Sequence, residues 1–203
     1  GVSAAVAVAG ALIGTLVPQF IASIAPFSMK NSNGIGSALE ILSEGVIMLP
    51  YAVGDSILEG DTLAAVHGGD RPVPLTGLRR AVQLDRQRTF EQDPKYAIRL
   101  LVDVAIKALS PAVNDPTTAV QALDEIEDLL RRLGTRRLEV GRLADNAGTL
   151  RLIFPTPIWE DFLSLAFDEI RFYGATSLQV MRRLRTALCG LAGTVPLERQ
   201  KAI

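Results

Sequence analysis

The chain has 203 residues, of which 48% are hydrophobic, 21% charged and 5% aromatic, with a formal net charge of −1. That balance excludes a disordered or fibrous chain, and it supplies no overall basic field for nucleic acid. One cysteine excludes an intramolecular disulfide framework and a cysteine metal cluster, and one histidine excludes a multi-histidine site, so no cofactor or metal is implied.

Residues 1–29 (GVSAAVAVAGALIGTLVPQFIASIAPFSM) carry no charged side chain, and Lys30 is the first. An uncharged run of this length is a membrane candidate. Its many Ala, Gly, Ser and Thr residues lower the gain from lipid, and Pro18 leaves only ~26 Å of unbroken helix before it. Gly10 and Gly14 give the spacing that lets two helices approach closely. Membrane contact, a buried or subunit-contacting helix, and a cleaved leader all remain open readings, although no basic stretch precedes the apolar run.

A small β subdomain is expected over residues 34–75. Asn31-Ser32-Asn33-Gly34 reads as a loop, and residues 37–43 read as a short helix. Val46 to Leu49, Ser56 to Leu58 and Thr62 to Val66 read as extended runs, separated by Gly54-Asp55 and Glu59-Gly60-Asp61 turns and closed by Gly68-Gly69. The phrase VGDSILEGDTL resembles the half-motif of biotinyl and lipoyl barrel sandwiches. No lysine lies between Lys30 and Lys95 to carry the cofactor amide, so only the shape is retained. His67, beside the paired glycines, reads as a solvated turn residue.

Residues 76–203 read as a helical domain. Asp93-Pro94, Asp115-Pro116 and Thr156-Pro157 each place a capping oxygen before a proline suited to the first helical position. The first helix, 94–109, is apolar on several faces and is expected to be central. Arg99, Asp103 and Lys107 share a stripe on it, either as a charge ladder or as functional charges in a buried helix. The second helix, about 116–132, buries Val120, Leu123, Ile126, Leu129 and Leu130, with Asp124, Glu125, Glu127 and Asp128 facing water.

Residues 134–149 read as a polar connection. Arg131, Arg132, Arg136, Arg137 and Arg142 at its start suit a solvated helix end or anionic headgroups. A β-like run over 150–154 precedes a third helix, about 157–173, and a fourth, about 177–191. In the fourth, Leu178, Met181, Leu184, Leu188 and Leu191 are expected in the core, with Arg182, Arg183 and Arg185 solvated. Cys189 reads there as a small buried hydrophobe. No phosphate-cradling loop, dinucleotide fingerprint, nucleophile elbow or aromatic-basic stripe is present.

RTFEQDPKYAIRLLVDVAIKALSPAVNDPTTA (residues 88–119), DEIRFYG (168–174) and VGDSILEGDTLAAV (53–66) together resemble a family of predicted bacterial membrane proteins, domain of unknown function 2254. The resemblance covers roughly residues 45–190. It implies a multi-pass membrane region followed by a soluble cytoplasmic domain at the bacterial inner membrane. In this chain only residues 1–29 have the composition of a membrane segment. The family has no established biochemical role, so no catalytic residue carries over.

The fold class expected is α+β, mainly helical. The leading function is a non-enzymatic sensing, assembly or ligand-binding module of a membrane protein. It would touch lipid or a subunit through residues 1–29 and self-associate to cover its central helix. The alternative is a hydrolase or transferase with a polar site around the 110–117 loop. The candidate ligand-binding residues are Arg99, Asp103, Ser110, Asn114, Asp115, Thr117 and Arg171. In that loop Asp115 reads either as an N-cap alone or as part of a polar site at a helix N-terminus.

Overall fold

A computed structural model describes residues 45–69 and 93–203. The readings made on residues 1–29, on the 31–34 loop and on the 37–43 helix lie outside the described residues. The fold is α+β and mainly helical. The described residues form two compact units, one from 93–136 and 158–203, the other from 45–69 and 137–157.

The helical unit begins with α1 (Pro94–Leu109). Asp93 is extended, and its carboxylate accepts the Lys95 N–H at 3.0 Å, which satisfies one orphan donor of the first turn. Ile98, Val102 and Ala105 are wholly buried because α1 packs against both α2 (Pro116–Leu133) and α3 (Trp159–Tyr173). The central position expected from its apolar faces is the one it occupies. Helix α2 buries Ala119, Ala122, Leu123, Ile126, Leu129 and Leu130 along one stripe.

Helix α3 starts two residues later than Pro157. Its N-cap residue, Ile158, has no side-chain oxygen, and Asp161 instead reaches back to accept the Ile158 N–H at 2.9 Å. The carboxylate at the third helical position satisfies the N-cap N–H, and Thr156 lies two residues before the N-cap, so it is not the cap.

Helix α4 (Leu178–Ala192) packs on α2 through Val180, Leu184, Ala187 and Leu191. That stripe corrects two expectations. Leu178 is two residues before Val180, and Cys189 is two after Ala187. At 100° per residue each points away from the core, and both are exposed.

A final turn, α5 (Leu197–Gln200), clasps the C-terminal end of α2. The Arg199 guanidinium donates to the carbonyls of Gly134 at 2.6 Å and Arg136 at 2.7 Å, and lies over the Trp159 ring. The Trp159 indole N–H donates back to the Arg199 carbonyl at 3.2 Å.

The second unit is a four-stranded sheet of β1 (Val46–Met48), β2 (Ala65–His67), β3 (Arg142–Ala144) and β4 (Leu150–Ile153), in the order β2-β1-β4-β3. Strands β1 and β2 are antiparallel, β3 and β4 are antiparallel, and β1 pairs with β4 in parallel, Ile47 opposite Leu152. Ile47 and Leu152 form the core, flanked by Leu49, Ala64, Leu143 and Phe154. Strand β3 lies in the stretch read as a polar connection. It has no apolar alternation, and its pairing with β4 shifts register at Leu143/Ala144.

Between β1 and β2 the chain makes the same turn twice. In Ala52-Val53-Gly54-Asp55 and in Leu58-Glu59-Gly60-Asp61 the fourth N–H donates to the first carbonyl. In each, the aspartate carboxylate accepts the N–H of the first residue, at 2.8 and 2.9 Å. The third position needs φ near +90°, which glycine adopts without a Cβ penalty (Gly54 at 91°, Gly60 at 93°). His67 ends β2 and is exposed.

Candidate functional site

The seven candidate residues fall into separate groups. On α1, Arg99 is gripped from two directions. It lies 2.6 Å from Asp103 one turn on, and forks onto Glu169 of α3, with the second contact at 3.3 Å. These hydrogen bonds hold the Glu169 carboxyl below the usual range and raise the Arg99 guanidinium. Lys107, on the same stripe, is exposed. The stripe therefore serves as a tie between α1 and α3.

The 110–117 loop is a second group. Ser110 Oγ donates to the Lys107 carbonyl at 2.7 Å, and the Ser110 carbonyl accepts the Asn114 N–H at 2.8 Å. Asn114 has φ of 44°, in the left-handed region that asparagine tolerates better than other non-glycine residues. The Asp115 carboxylate accepts the N–H groups of Thr117 and Thr118 at 3.1 Å each, and the Thr118 hydroxyl at 2.6 Å. The Thr118 hydroxyl first, then these N–H groups, push the Asp115 pKa down. The Thr117 side chain is exposed.

The loop and Arg99 do not converge. Ser110 lies eleven residues beyond Arg99, about 16 Å along the helix at 1.5 Å per residue. Arg171 is exposed near the end of α3, 4.0 Å from Asp168. The Arg99–Glu169 contact sets the beginning of α1 beside the end of α3, so Arg171 is remote from the loop as well.

Among the described residues a further charge cluster lies between α2 and α4. Glu127, expected to face water, is buried at 6% exposure. It accepts from Arg131 at 2.5 and 2.9 Å and from Arg183 of α4 at 2.5 Å. Arg183, also expected in solvent, has a side chain 18% exposed and bonds Asp124 as well. Burial lowers its pKa, but the hydrogen bonds to Asp124 and Glu127 more than offset this. Its Nη1 is buried without a partner among the described residues.

Position gives the reason. Glu127 is four residues after Leu123 and three before Leu130, inside the buried stripe, and Arg183 sits between Val180 and Ala187 on the facing helix. Helical phase alone marks both, although it does not say that they meet. Glu125, half-buried beside Asp124 and Asp128, has a raised pKa, chiefly through burial and then through those two charges.

Among the described residues no three His, Cys, Asp or Glu side chains gather to hold a metal ion. No helix among them is long and apolar enough to cross a membrane.

Uncharacterized proteins of Mycobacterium bovis and Mycobacterium tuberculosis are each 34% identical to this chain over 113 residues, 56% of the chain. The match spans 22% of the length of each relative. No solved structure matches the chain. The sequence profile described as predicted membrane protein (DUF2254) matches residues 40–189, which takes in the sheet unit and most of the helical unit. The chain belongs to this family of predicted membrane proteins of unknown function.

Proposed function

We propose that the chain is the soluble part of a bacterial inner-membrane protein, facing the cytoplasm, and that it works as a non-enzymatic assembly module. The observation that carries this reading is where the charges go. Arg99 ties α1 to α3 through Glu169, and Arg183 ties α2 to α4 through Glu127. The Asp115 carboxylate is filled by three donors of its own helix start. Groups committed to helix contacts hold a rigid body together, whereas a catalytic site needs groups aimed at an open space. In this reading residues 1–29 contact lipid or a second subunit, and the body self-associates.

The test is fractionation and light scattering of the full chain and of a form lacking residues 1–29. The full chain is expected with membranes, and the shortened form is expected folded, soluble and oligomeric at micromolar concentration. A shortened form that unfolds would make residues 1–29 part of the body's own core. A monomer throughout would remove assembly.

A further inference from the structure

The end of α3 and the start of α4 form an apolar tip that the fold leaves uncovered. Phe172 is 76% exposed, Tyr173 49% and Leu178 64%, and the two rings pack edge to face with centroids 5.2 Å apart. The turn between them is tight. The Gly174 N–H donates to the Ile170 carbonyl, and the Ser177 N–H to the Gly174 carbonyl. Two adjacent aromatic rings in water are costly to maintain and mark a surface that meets something apolar.

The charges around the tip say what that is. Arg171 precedes the rings, and Arg182 and Arg185 follow Leu178 at helical spacing on the exposed face of α4. Neither Arg182 nor Arg185 pairs with a carboxylate among the described residues, and Arg171 has only Asp168 at 4.0 Å. A two-fold contact between copies through this tip would crowd the arginines of both against one another. A surface that is apolar beneath and anionic at its face complements both parts. Aromatic rings settle at the headgroup level, and arginines reach the anionic groups around them.

We propose that the α3–α4 tip, Phe172, Tyr173 and Leu178, with Arg171 before the rings and Arg182 and Arg185 one and two turns along α4, docks onto the surface of an anionic lipid bilayer. This rests on the membrane reading above and adds a second lipid contact, within the helical body itself.

The experiment uses the full chain with its single cysteine removed (Cys189→Ser) and an environment-sensitive fluorophore attached through Thr176→Cys, exposed in the turn. Vesicles of phosphatidylcholine, with or without about 30 mol% phosphatidylglycerol, are added, and sedimentation is read alongside. The expected result is a blue-shifted probe, quenched by a bilayer-resident nitroxide, only on the anionic vesicles. Arg182→Gln with Arg185→Gln should lower the ratio of engaged to free tip on the order of 25-fold, at about a tenfold change per 1.4 kcal/mol. Phe172→Ser with Tyr173→Ser should abolish the shift while far-ultraviolet circular dichroism stays unchanged. A chain that sediments with vesicles while its probe stays in water overturns the tip and leaves the membrane reading standing. Failure to sediment at all overturns both. A probe that shifts with protein concentration in the absence of lipid assigns the tip to a second copy and overturns the proposal.

Discussion

Replacing Glu127 by Ala should be among the most costly single changes in the helical unit. The substitution removes three hydrogen bonds, two from Arg131 and one from Arg183. Arg131 is 44% exposed and can return its charge to water, so its share is about 0.5 kcal/mol, typical of an i,i+4 pair. Arg183 cannot do so at 18% exposure, and it would keep only Asp124, itself 53% exposed. Stripping a partner from a buried pair costs about 3–5 kcal/mol, and the remaining Asp124 contact reduces this to roughly 2 kcal/mol. The sum is about 2.5 kcal/mol. Combining Glu127→Leu with Arg183→Met removes both charges and fills the space, which should bring the cost under about 1 kcal/mol. Denaturant unfolding followed by helical circular dichroism, on wild type, both single variants and the double, gives the coupling. Additive effects, or singles below about 0.5 kcal/mol, would refute a buried network and make these ordinary surface pairs.

Asp115→Ala should cost about 1 kcal/mol through the lost cap, and Asp115→Asn well under that; both are read from denaturation midpoints. If a small ligand raises the melting temperature of wild type but not of the folded Asp115→Asn variant, the carboxylate is more than a cap. Glu169, Asp115 and Asp145 all ionise more readily in the fold than free, Asp145 chiefly through its hydrogen bond from Arg151. Their stabilisation is complete above the ordinary carboxylate range, about 4, and is lost as pH falls through their lower folded values, which a midpoint-versus-pH series measures. Glu125 has the opposite sign, so Glu125→Gln should exceed wild type in stability at pH 7 and converge with it in acid. Gly141→Ala would set a Cβ 2.1 Å from the Phe154 carbonyl oxygen, backbone that already accepts no such approach, and should cost about 2 kcal/mol or more. Loss of amide protection at Leu143 and Leu152 is its readout.

What could be read from the residues alone was local. Asp93 and Asp115 each precede a proline and cap within three residues, so the starts of α1 and α2 were visible without any knowledge of packing. The start of α3 was misread because two local devices competed, Thr156 before a proline and Asp161 reaching back. Nothing short of the backbone path chooses between them. Strand β3 has no pattern of its own and exists because β4 lies beside it. The candidate site suffered from distance. Arg99 stands out in the sequence as a charge in an apolar helix, but its partner Glu169 lies seventy residues away. Glu127 and Arg183 lie among neighbours of like charge; helical phase sets both in the buried stripes, but only the facing of the two helices pairs them.

Strand β1 pairs with β4, and the residues opposite one another, Ile47 and Leu152, are separated in the chain by both α1 and α2. A ribosome making this protein therefore releases the first hairpin long before its parallel neighbour exists. Until β4 emerges, the edge of β1 that it will cover is unpaired and the sheet has half its core, the state in which strands recruit the wrong partner. The helices between, rich in local contacts, form on a much shorter timescale. The sheet thus waits for residue 150, and a nascent chain stalled before it would hold α1 and α2 without their later partners α3 and α4, and β1 without its parallel neighbour.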